Sequence, residues 1–454
     1  MSDRLLFSVA GARGIVGKTI DADVITRLTL AFCSTLPDGP IVIGRDTRPS
    51  GAAFILCAQG AITASGRDCI DLGVATTPTV EMITENTDAV AGIIVTASHN
   101  PVEWNALKFI DGRGIFIKKD VGDAVYAAFQ NGEFAHADGC STGTVHTYTN
   151  ADTEHIDAII ALDTVDVDTI KARKFKVVLD CINGAGSVMA PELLRRLGVD
   201  VIETNCTPNG NFYRDPEPRP DNLGDLAAAV TEHGADLGLA VDPDADRLAL
   251  VDADGNAISE EYTLALAIDH VLSKTKGDVV VNMSTSAVID RVAERHGVDV
   301  HRTPVGEAHV VDRMLGAAAV IGGEGNGGVI YPTLHPGRDA PLGMALILQL
   351  LAERGVSLRE QVSKYPPFHI IKSKVELEGE FSVERISGLI DALNPDTIDT
   401  QDGVKALFSD GWIHLRVSNT EGVVRVITEA ETESQSQELQ RRAGEVLRSS
   451  WAKV

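Results

Sequence analysis

Apolar and polar residues alternate along most of the chain in a pattern that predicts repeated strand and helix units. Short apolar runs bounded by Gly, Pro, Asn or Asp are typical of buried strands, and stretches with apolar residues at helical spacing lie between them. This alternation predicts an α/β fold with parallel sheets that carry helices on both faces. The predicted strands include 41–43, 92–95, 177–179, 237–241, 279–281 and 318–321, and the predicted helices include 191–197 and 342–352.

The C-terminal part of the chain has a different pattern. Residues 404–408, the dipeptide Asp410-Gly411 and residues 412–417 predict a β-hairpin with an Asp-Gly turn, and residues 423–430 predict a third strand. The segment that follows predicts a helix with its apolar residues on one face, namely Leu439, Ala443, Val446 and Leu447. We therefore expect an α+β module at this end.

The length of the chain, 454 residues, exceeds what one hydrophobic core holds. Polar or proline-containing stretches predict domain boundaries near 148–155, 252–261 and 363–370. We expect three α/β domains with mixed or parallel sheets and then an α+β domain, at 1–152, 153–254, 255–367 and 368–454.

The composition favours a globular protein and argues against nucleic-acid and membrane partners. Hydrophobic residues make up 44% of the chain and charged residues 23%, as in soluble globular proteins. The net charge of −25 argues against a nucleic-acid partner, because phosphate-binding surfaces are usually basic. The cysteines form no C-x-x-C pair, no apolar stretch approaches about 18 residues, and the N-terminus lacks the apolar core of a signal peptide. We expect a cytoplasmic protein with no membrane partner.

The most informative motif is Thr96-Ala97-Ser98-His99-Asn100-Pro101, which follows the predicted strand 92–95. Loops beyond the carboxyl ends of strands are where ligands bind in open α/β sheets. A serine next to a histidine can act as an activated nucleophile. An ordinary Asn-Pro turn is the alternative explanation of the same six residues.

A second loop, which follows another predicted strand, carries the three carboxylates of Asp242, Asp244 and Asp246. Carboxylates this close repel one another unless a cation binds, and hard oxygen ligands suit Mg²⁺. The loop is not an EF-hand, because Arg247 stands where that motif requires Gly and Ala253 stands where it requires Glu. A solvated acidic turn is the alternative.

Two further loops offer polar groups to a small ligand. The glycine-rich run 322–328 allows close approach and contributes Glu324 and Asn326, a carboxylate and an amide that suit vicinal hydroxyls. A flexible turn explains that run equally well. The second loop could donate several hydrogen bonds to one phosphate, and an exposed β-turn is the alternative explanation. The candidate phosphate-binding residues are Arg416, Ser418, Asn419, Thr420 and Arg425.

Near the N-terminus, residues 11–19 come close to a Walker A motif. Five residues separate Gly11 from Gly17, whereas a P-loop has four residues between its glycines, so we reject a nucleotide-binding P-loop. Arg13 remains a candidate for contact with an anion.

Together, and in this order along the chain, these loops resemble those of the α-D-phosphohexomutase family, which includes phosphoglucomutase/phosphomannomutase and phosphoglucosamine mutase. T-A-S-H-N-P and D-P-D-A-D-R are highly specific to that family, and G-E-G-N-G-G and R-V-S-N-T-E-G are strong in combination. The segments 44–48 and 180–186 also fit, so the resemblance covers essentially the whole chain. It is nearest to the archaeal-type phosphoglucosamine mutases.

The resemblance implies four domains in a heart-shaped arrangement and a set of residue roles. Ser98 would carry a phosphoryl group in the resting enzyme, and Mg²⁺ would bind it together with Asp242, Asp244 and Asp246. Glu324 and Asn326 would bind sugar hydroxyls. The phosphate that does not react would contact Arg416, Ser418, Asn419 and Thr420, and the residues around the reacting centre would be Arg13, His99, Lys108 and Arg247.

The implied activity is that of an isomerase that interconverts hexose 6-phosphate and hexose 1-phosphate. A hexose 1,6-bisphosphate would be both intermediate and activator, and either His99 or Lys108 would move the hydroxyl proton. The substrate would be a small phosphosugar, either glucosamine phosphate or a mannose or glucose phosphate, bound by a monomer or homodimer. A metal-dependent sugar phosphatase and a non-catalytic sugar-phosphate binding protein are the alternatives.

Overall fold

The computed structural model describes residues 5–8, 10–134, 136–376, 383–391, 393–417 and 423–451. Four β-sheets follow one another along this part of the chain, and helices pack against each of them.

The first sheet has strands β1 (Leu6–Ser8), β2 (Gly11–Ile15), β3 (Ile41–Arg45), β4 (Cys69–Val74), β5 (Ala91–Val95), β6 (Trp104–Asp111) and β7 (Val145–Thr147). Their order is β1-β2-β6-β5-β3-β4-β7. Strands β3, β4, β5 and β7 are parallel, whereas the pairs that involve β1, β2 or β6 are antiparallel. Apolar clusters on both faces are covered by α1 (Ala22–Ser34), α2 (Gly51–Ala64), α3 (Thr77–Glu85) and α4 (Lys119–Asn131).

The second sheet has strands β8 (Lys176–Asp180), β9 (Asp200–Thr204), β10 (Leu237–Val241), β11 (Leu248–Asp252) and β12 (Ala257–Ile258). Strands β9, β8 and β10 are parallel neighbours, and β11 and β12 extend the sheet in antiparallel fashion. Its helices are α5 (Ala151–Ile160), α6 (Val167–Arg173), α7 (Ala190–Arg196) and α8 (Gly224–His233).

The third sheet has strands β13 (Val279–Asn282), β14 (Val300–Thr303), β15 (Ile321–Glu324), β16 (Gly328–Tyr331) and β17 (His335–Arg338). Strands β14, β13 and β15 are parallel, and β16 and β17 continue antiparallel. One continuous apolar core includes residues of both the second and the third sheets, among them Leu179 and Leu239 from the second and Val281 from the third. Its helices are α9 (Glu261–Lys274), α10 (Val288–His296), α11 (Glu307–Ala317), α12 (Ala340–Arg354) and α13 (Leu358–Val362).

The fourth sheet is antiparallel throughout, with the order β18-β22-β21-β20-β19 for β18 (His369–Glu376), β19 (Thr397–Asp399), β20 (Val404–Phe408), β21 (Gly411–Val417) and β22 (Val423–Ala430). Helices α14 (Val383–Asp391) and α15 (Glu433–Trp451) accompany it. The predicted hairpin, third strand and final helix are confirmed, and Leu439, Ala443 and Leu447 on that helix are buried. The result is the four-domain α/β architecture that the sequence predicts.

Each of the first three sheets is mixed, which is one of the two arrangements that the sequence predicts, because short hairpins add antiparallel strands to a parallel centre. One detail differs from the sequence-based prediction. The predicted strand at 318–321 is wrong over its first three residues, since α11 runs to Ala317 and Ala318 ends it in a left-handed conformation with φ of 51°. Strand β15 begins at Ile321.

Candidate active site

The loop after β5 holds Ser98 in an unusual backbone conformation. Ser98 has a φ of 49°, in the left-handed region that few non-glycine residues adopt, and only 7% of its surface is exposed. Thr96 fixes this turn, because its hydroxyl oxygen accepts the Ser98 N–H at 2.9 Å and its hydroxyl donates to Asp46 at 2.7 Å. The hydroxyl of Ser98 is therefore presented by a constrained loop.

Arg48 fixes the rest of this loop through hydrogen bonds to its backbone. Its guanidinium is completely buried and pairs with Asp46 at 2.9 Å. The remaining N–H groups donate at 2.5–3.1 Å to four backbone carbonyls of the loop, those of Ser98, Asn100, Pro101 and Trp104. Because a buried charged donor is costly to leave unpaired, these contacts favour one loop conformation.

The second predicted loop meets Ser98 although it lies 144 residues further along the chain. Strand β10 ends at Val241, and the turn that follows passes through Ala245 at φ 55°. This turn brings Asp242, Asp244 and Asp246, here called the acidic triplet, together in the interior with carboxylate oxygens within 4.8 Å of one another. The Ser98 hydroxyl donates to Asp242 Oδ2 at 3.0 Å.

The oxygens of the acidic triplet are only partly satisfied by the protein. Asp244 Oδ2 accepts from Lys108 Nζ at 2.8 Å and from the Thr77 hydroxyl at 2.7 Å. Asp244 Oδ1 and Asp246 Oδ1 are buried and have no hydrogen-bond partner among the described residues. Buried carboxylate oxygens without donors fit a divalent cation such as Mg²⁺, so the residues present suit the metal that the sequence predicts.

Neighbouring charges and burial shift the pKa values of two carboxyl groups of the acidic triplet, those of Asp242 and Asp244. Burial and the neighbouring Asp246 and Asp244 raise the pKa of Asp242 well above its usual value. For Asp244, burial is outweighed by Lys108, so its pKa is lowered. Lys108 pairs with Asp244 and Arg338 pairs with Asp246, but Asp242 has no ion pair among the described residues, so the triplet favours binding of a further positive charge.

His99, which contacts Ser98, and Lys108, which contacts Asp244, differ in charge. The Nδ1 atom of His99 is 3.3 Å from Ser98 Oγ, and burial, Arg247 and Arg13 lower the pKa of His99 well below its usual value. Burial alone would lower the pKa of Lys108, but Asp244 and Asp246 outweigh it and raise this pKa. The site therefore holds a neutral imidazole and an ammonium ion near one hydroxyl.

Two predicted arginines border this centre. Arg247 is largely buried, with Nη1 3.3 Å from Glu217 and Nε 3.7 Å from Asp246 Oδ1. Arg13, on β2, donates to the Asn100 side chain at 3.3 Å. Arg13 thus lies beside the Ser98 loop, and Arg247 lies beside the acidic triplet.

The glycine-rich loop between β15 and β16 joins the same centre through an unpredicted residue, Arg338. This guanidinium donates to Asp246 Oδ2 at 2.6 Å, to Glu324 Oε2 at 3.0 Å and to Glu307 Oε2 at 2.9 Å. The other oxygen of Glu324 accepts from Asn282 and from the Gly306 N–H, and Asn326 Nδ2 lies 3.4 Å from Oε2. Glu324 is therefore oriented by several donors and tied to the acidic triplet.

The phosphate-binding loop predicted in the fourth sheet is described only in part. Ser418, Asn419 and Thr420 lie outside the described residues. Arg416 and Arg425 face each other as a cross-strand pair of β21 and β22. Arg416 pairs with Asp402 at 2.6 Å, and Asp402 also accepts the Val305 N–H at 2.8 Å, next to the Gly306 N–H that contacts Glu324.

The structure adds residues to which the sequence analysis gave no role, namely Thr77, Arg48, Glu217 and Arg338. Arg48 belongs to a segment noted for its family resemblance, and Arg338 precedes a helix start marked by Asp339 and Pro341. A helix start does not show which distant carboxylates the preceding side chain contacts, so only the fold reveals these roles.

Four α/β and α+β domains thus follow one another along the chain, and a serine hydroxyl from the first sheet meets a buried acidic triplet from the second. The chain belongs to the phosphoglucomutase/phosphomannomutase family, whose α/β/α domains I, II and III and C-terminal domain match residues 4–136, 153–255, 259–368 and 371–445. Its members are isomerases of the mutase type. No helix in the described part of the chain is long and apolar enough to cross a membrane.

Several relatives are similar over nearly their whole length. A "Phosphoglucomutase/phosphomannomutase" of Thermococcus kodakarensis is 36% identical over 95% of this chain and 96% of its own. A "Probable phosphoglucosamine mutase" of Methanopyrus kandleri is 35% identical over 97% of both chains. Among solved structures, a putative phosphomannomutase from Thermus thermophilus superposes with a TM-score of 0.85 at 27% identity, over 99% of this chain and 100% of that one.

Proposed function

We propose that this phosphohexomutase interconverts glucosamine 6-phosphate and glucosamine 1-phosphate through a phosphorylated Ser98 and a 1,6-bisphosphate intermediate. The observation that carries the proposal is the 3.0 Å contact between Ser98 Oγ and Asp242, which places a hydroxyl from one sheet against the acidic triplet of another. The resemblance to archaeal phosphoglucosamine mutases, among them the relative from Methanopyrus kandleri, supports the choice of sugar.

In the first half-reaction, the bond between phosphorus and Ser98 Oγ breaks while a bond to the free hydroxyl of the sugar phosphate forms. The sugar hydroxyl loses a proton, and Ser98 Oγ regains one. In the second half-reaction, the bisphosphate returns its other phosphoryl group to Ser98. Mg²⁺ held by the acidic triplet would neutralise phosphate charge during both transfers.

The residues around Ser98 suit this chemistry. The neutral imidazole of His99 contacts Ser98 Oγ and can accept or return the proton, whereas Lys108 and Arg247 contribute positive charge. Glu324 and Asn326 would bind the sugar hydroxyls, and Arg416 with residues 418–420 would bind the phosphate that does not react. Arg13 and Arg425 supply further positive charge for anionic groups.

The test of the phosphoserine is Ser98→Ala. We expect loss of the added mass of one phosphate (about 80 Da) in intact-mass spectra, and a fall in turnover of about 10³-fold or more, because the phosphoryl carrier is gone. Ser65→Ala, at the end of α2, is the matched control and keeps both properties. Full turnover by Ser98→Ala would exclude the proposed pathway.

The test of the substrate is a parallel measurement of kcat/KM for glucosamine, mannose and glucose 6-phosphates. We expect the highest value for glucosamine 6-phosphate. A preference for mannose or glucose phosphate would assign the second candidate activity, which the name of the Thermococcus kodakarensis relative favours. Release of free phosphate as the main product would instead indicate a phosphatase.

A further inference from the structure

A second buried cluster of metal-type ligands lies outside the centre described above. His155 on α5, His335 on β17 and Asp339 at the start of α12 are each at most 1% exposed, and their ligand atoms lie within 4.8 Å of one another. We call these three residues the histidine cluster. They come from separate elements and share no loop with the acidic triplet.

The two imidazoles converge on one oxygen atom. Nε2 of His155 lies 2.8 Å from Asp339 Oδ2, and Nε2 of His335 lies 3.1 Å from the same atom. The rings are nearly perpendicular, with centroids 5.9 Å apart. Asp339 Oδ1 accepts the Leu342 N–H at 2.9 Å, which caps α12 and fixes the carboxylate with Oδ2 toward the histidines.

Hydrogen bonds alone leave some polar atoms in and around this cluster without a partner among the described residues. If both histidines donate from Nε2, each Nδ1 must accept a hydrogen bond. His155 Nδ1 has the Thr79 hydroxyl at 2.9 Å. His335 Nδ1 has no hydrogen-bond partner among the described residues and instead faces Glu81 Oε2 at 3.8 Å, and both Glu81 oxygens are buried and equally unsatisfied. With both histidines neutral and Glu81 ionised, three acceptor atoms therefore share an interior site without a donor.

A bound cation would allow two of these atoms, His335 Nδ1 and Glu81 Oε2, to become a donor and an acceptor to each other. With a metal ion between the Nε2 atoms and Asp339 Oδ2, His335 carries its proton on Nδ1 and donates it toward Glu81. This gives the carboxylate–histidine–metal arrangement that commonly orients histidine ligands, and Thr79 plays the corresponding role for His155. The charges of Asp339 and Glu81 then balance those of a divalent cation.

We propose that the histidine cluster binds one structural transition-metal ion of the Zn²⁺ class. Two imidazole nitrogens and one carboxylate suit Zn²⁺, whereas Mg²⁺ prefers oxygen ligands. The ion would join α3, α5 and the segment that begins α12, directly after Arg338. Since all three ligands are buried, it would be taken up during folding and would stabilise this junction.

The first test is the zinc content of the full-length, tag-free protein, folded with Zn²⁺ present and then dialysed against excess Mg²⁺. We expect about one zinc per chain in the wild type and in His146→Gln, a control at an exposed histidine, and no zinc in His335→Gln. A wild-type protein without zinc would overturn the proposal, and so would a His335→Gln protein that keeps its zinc.

The second test uses only the wild type, so it does not depend on whether His335→Gln folds. Anomalous diffraction at the zinc edge should give a peak about 2.0–2.1 Å from the Nε2 atoms of both histidines. A zinc peak at the acidic triplet and none at the histidine cluster would refute the assignment, whether or not the protein is a mutase.

Discussion

The acidic triplet and the histidine cluster are both buried groups of three ligand-bearing side chains, yet they differ in what surrounds them. The triplet has a serine hydroxyl at 3.0 Å, an ammonium group and two unsatisfied carboxylate oxygens. The histidine cluster has unsatisfied atoms as well, but its neighbouring hydroxyl, that of Thr79 at 2.9 Å from His155 Nδ1, is completely buried and belongs to helix α3 instead of a loop at the end of a strand. Unsatisfied ligands therefore indicate a cation, whereas only the neighbouring reactive group indicates catalysis.

Arg338 and Asp339 connect the two clusters through adjacent residues. Arg338 contacts Asp246 of the triplet, and Asp339 belongs to the histidine cluster. The comparison thus predicts that changes at the triplet affect turnover, that changes at the histidine cluster affect stability, and that Arg338 affects both.

Metal removal should have the largest effect. We expect EDTA to lower turnover to below about 1% of its initial value, because phosphoryl transfer depends on neutralisation of phosphate charge. Mg²⁺ alone should restore it, and the thermal midpoint should change little, since the triplet is the exchangeable site. Activity that survives exhaustive chelation would show that the triplet needs no metal.

Arg338→Met should have the next largest effect. It leaves the carboxylates of Asp246, Glu307 and Glu324 buried without their shared cation, and breaking a buried ion pair typically costs about 3–5 kcal/mol of stability. We also expect kcat/KM to fall by about 10²-fold, because Glu324 and Asp246 lose their orientation.

Arg338→Lys keeps one charge but not the three-way contact, so its kcat/KM should lie between those of the wild type and Arg338→Met. Denaturant unfolding and steady-state kinetics measure the two effects. Arg291→Met, which removes a half-exposed ion pair with Glu294, is the control and should cost less than about 1 kcal/mol. Wild-type kcat/KM in Arg338→Met would contradict the link between the loops.

The acidic triplet was predictable and the histidine cluster was not, for a physical reason. Asp242, Asp244 and Asp246 lie within one turn of chain after an apolar run, so their proximity follows from covalent connectivity. His155 and Asp339 are 184 residues apart and meet only because α5 and the start of α12 pack together. The spacing of residues along a sequence does not predict which distant elements pack together.

The same distinction applies to the fold. Strands such as β10 follow from their apolar runs, and the hairpin of β20 and β21 follows from its Asp-Gly turn. The order of the strands and the core shared by the second and third sheets depend on long-range contacts. The contact between Ser98 and Asp242 was expected only from the family resemblance, because the two loops lie on different sheets.

His155→Gln should separate stability from turnover. The substitution removes the imidazole that contacts both Thr79 and Asp339, so we expect a loss of about 1–3 kcal/mol in the free energy of unfolding. Turnover at a temperature where the variant is folded should stay within about threefold of the wild type, because His155 does not touch the triplet. A loss of turnover as large as that of Arg338→Met would mean that the histidine cluster positions the catalytic residues.

Thr77→Val should have the smallest effect and probes the triplet alone. Valine keeps the shape of threonine but removes the hydroxyl that donates to Asp244 Oδ2 at 2.7 Å, while the backbone N–H still donates to the Asp244 carbonyl at 2.9 Å. Losing one such hydrogen bond costs about 1 kcal/mol, which corresponds to an increase of about fivefold in the half-saturating Mg²⁺ concentration. The maximal rate at saturating Mg²⁺ should be unchanged, because Thr77 orients a ligand and does not touch Ser98.

Thr26→Val on α1 is the matched control, since the Thr26 hydroxyl donates to a helix carbonyl. A lower maximal rate with an unchanged Mg²⁺ dependence would show that Thr77 acts on the reaction itself, and the triplet would then be more than a cation site.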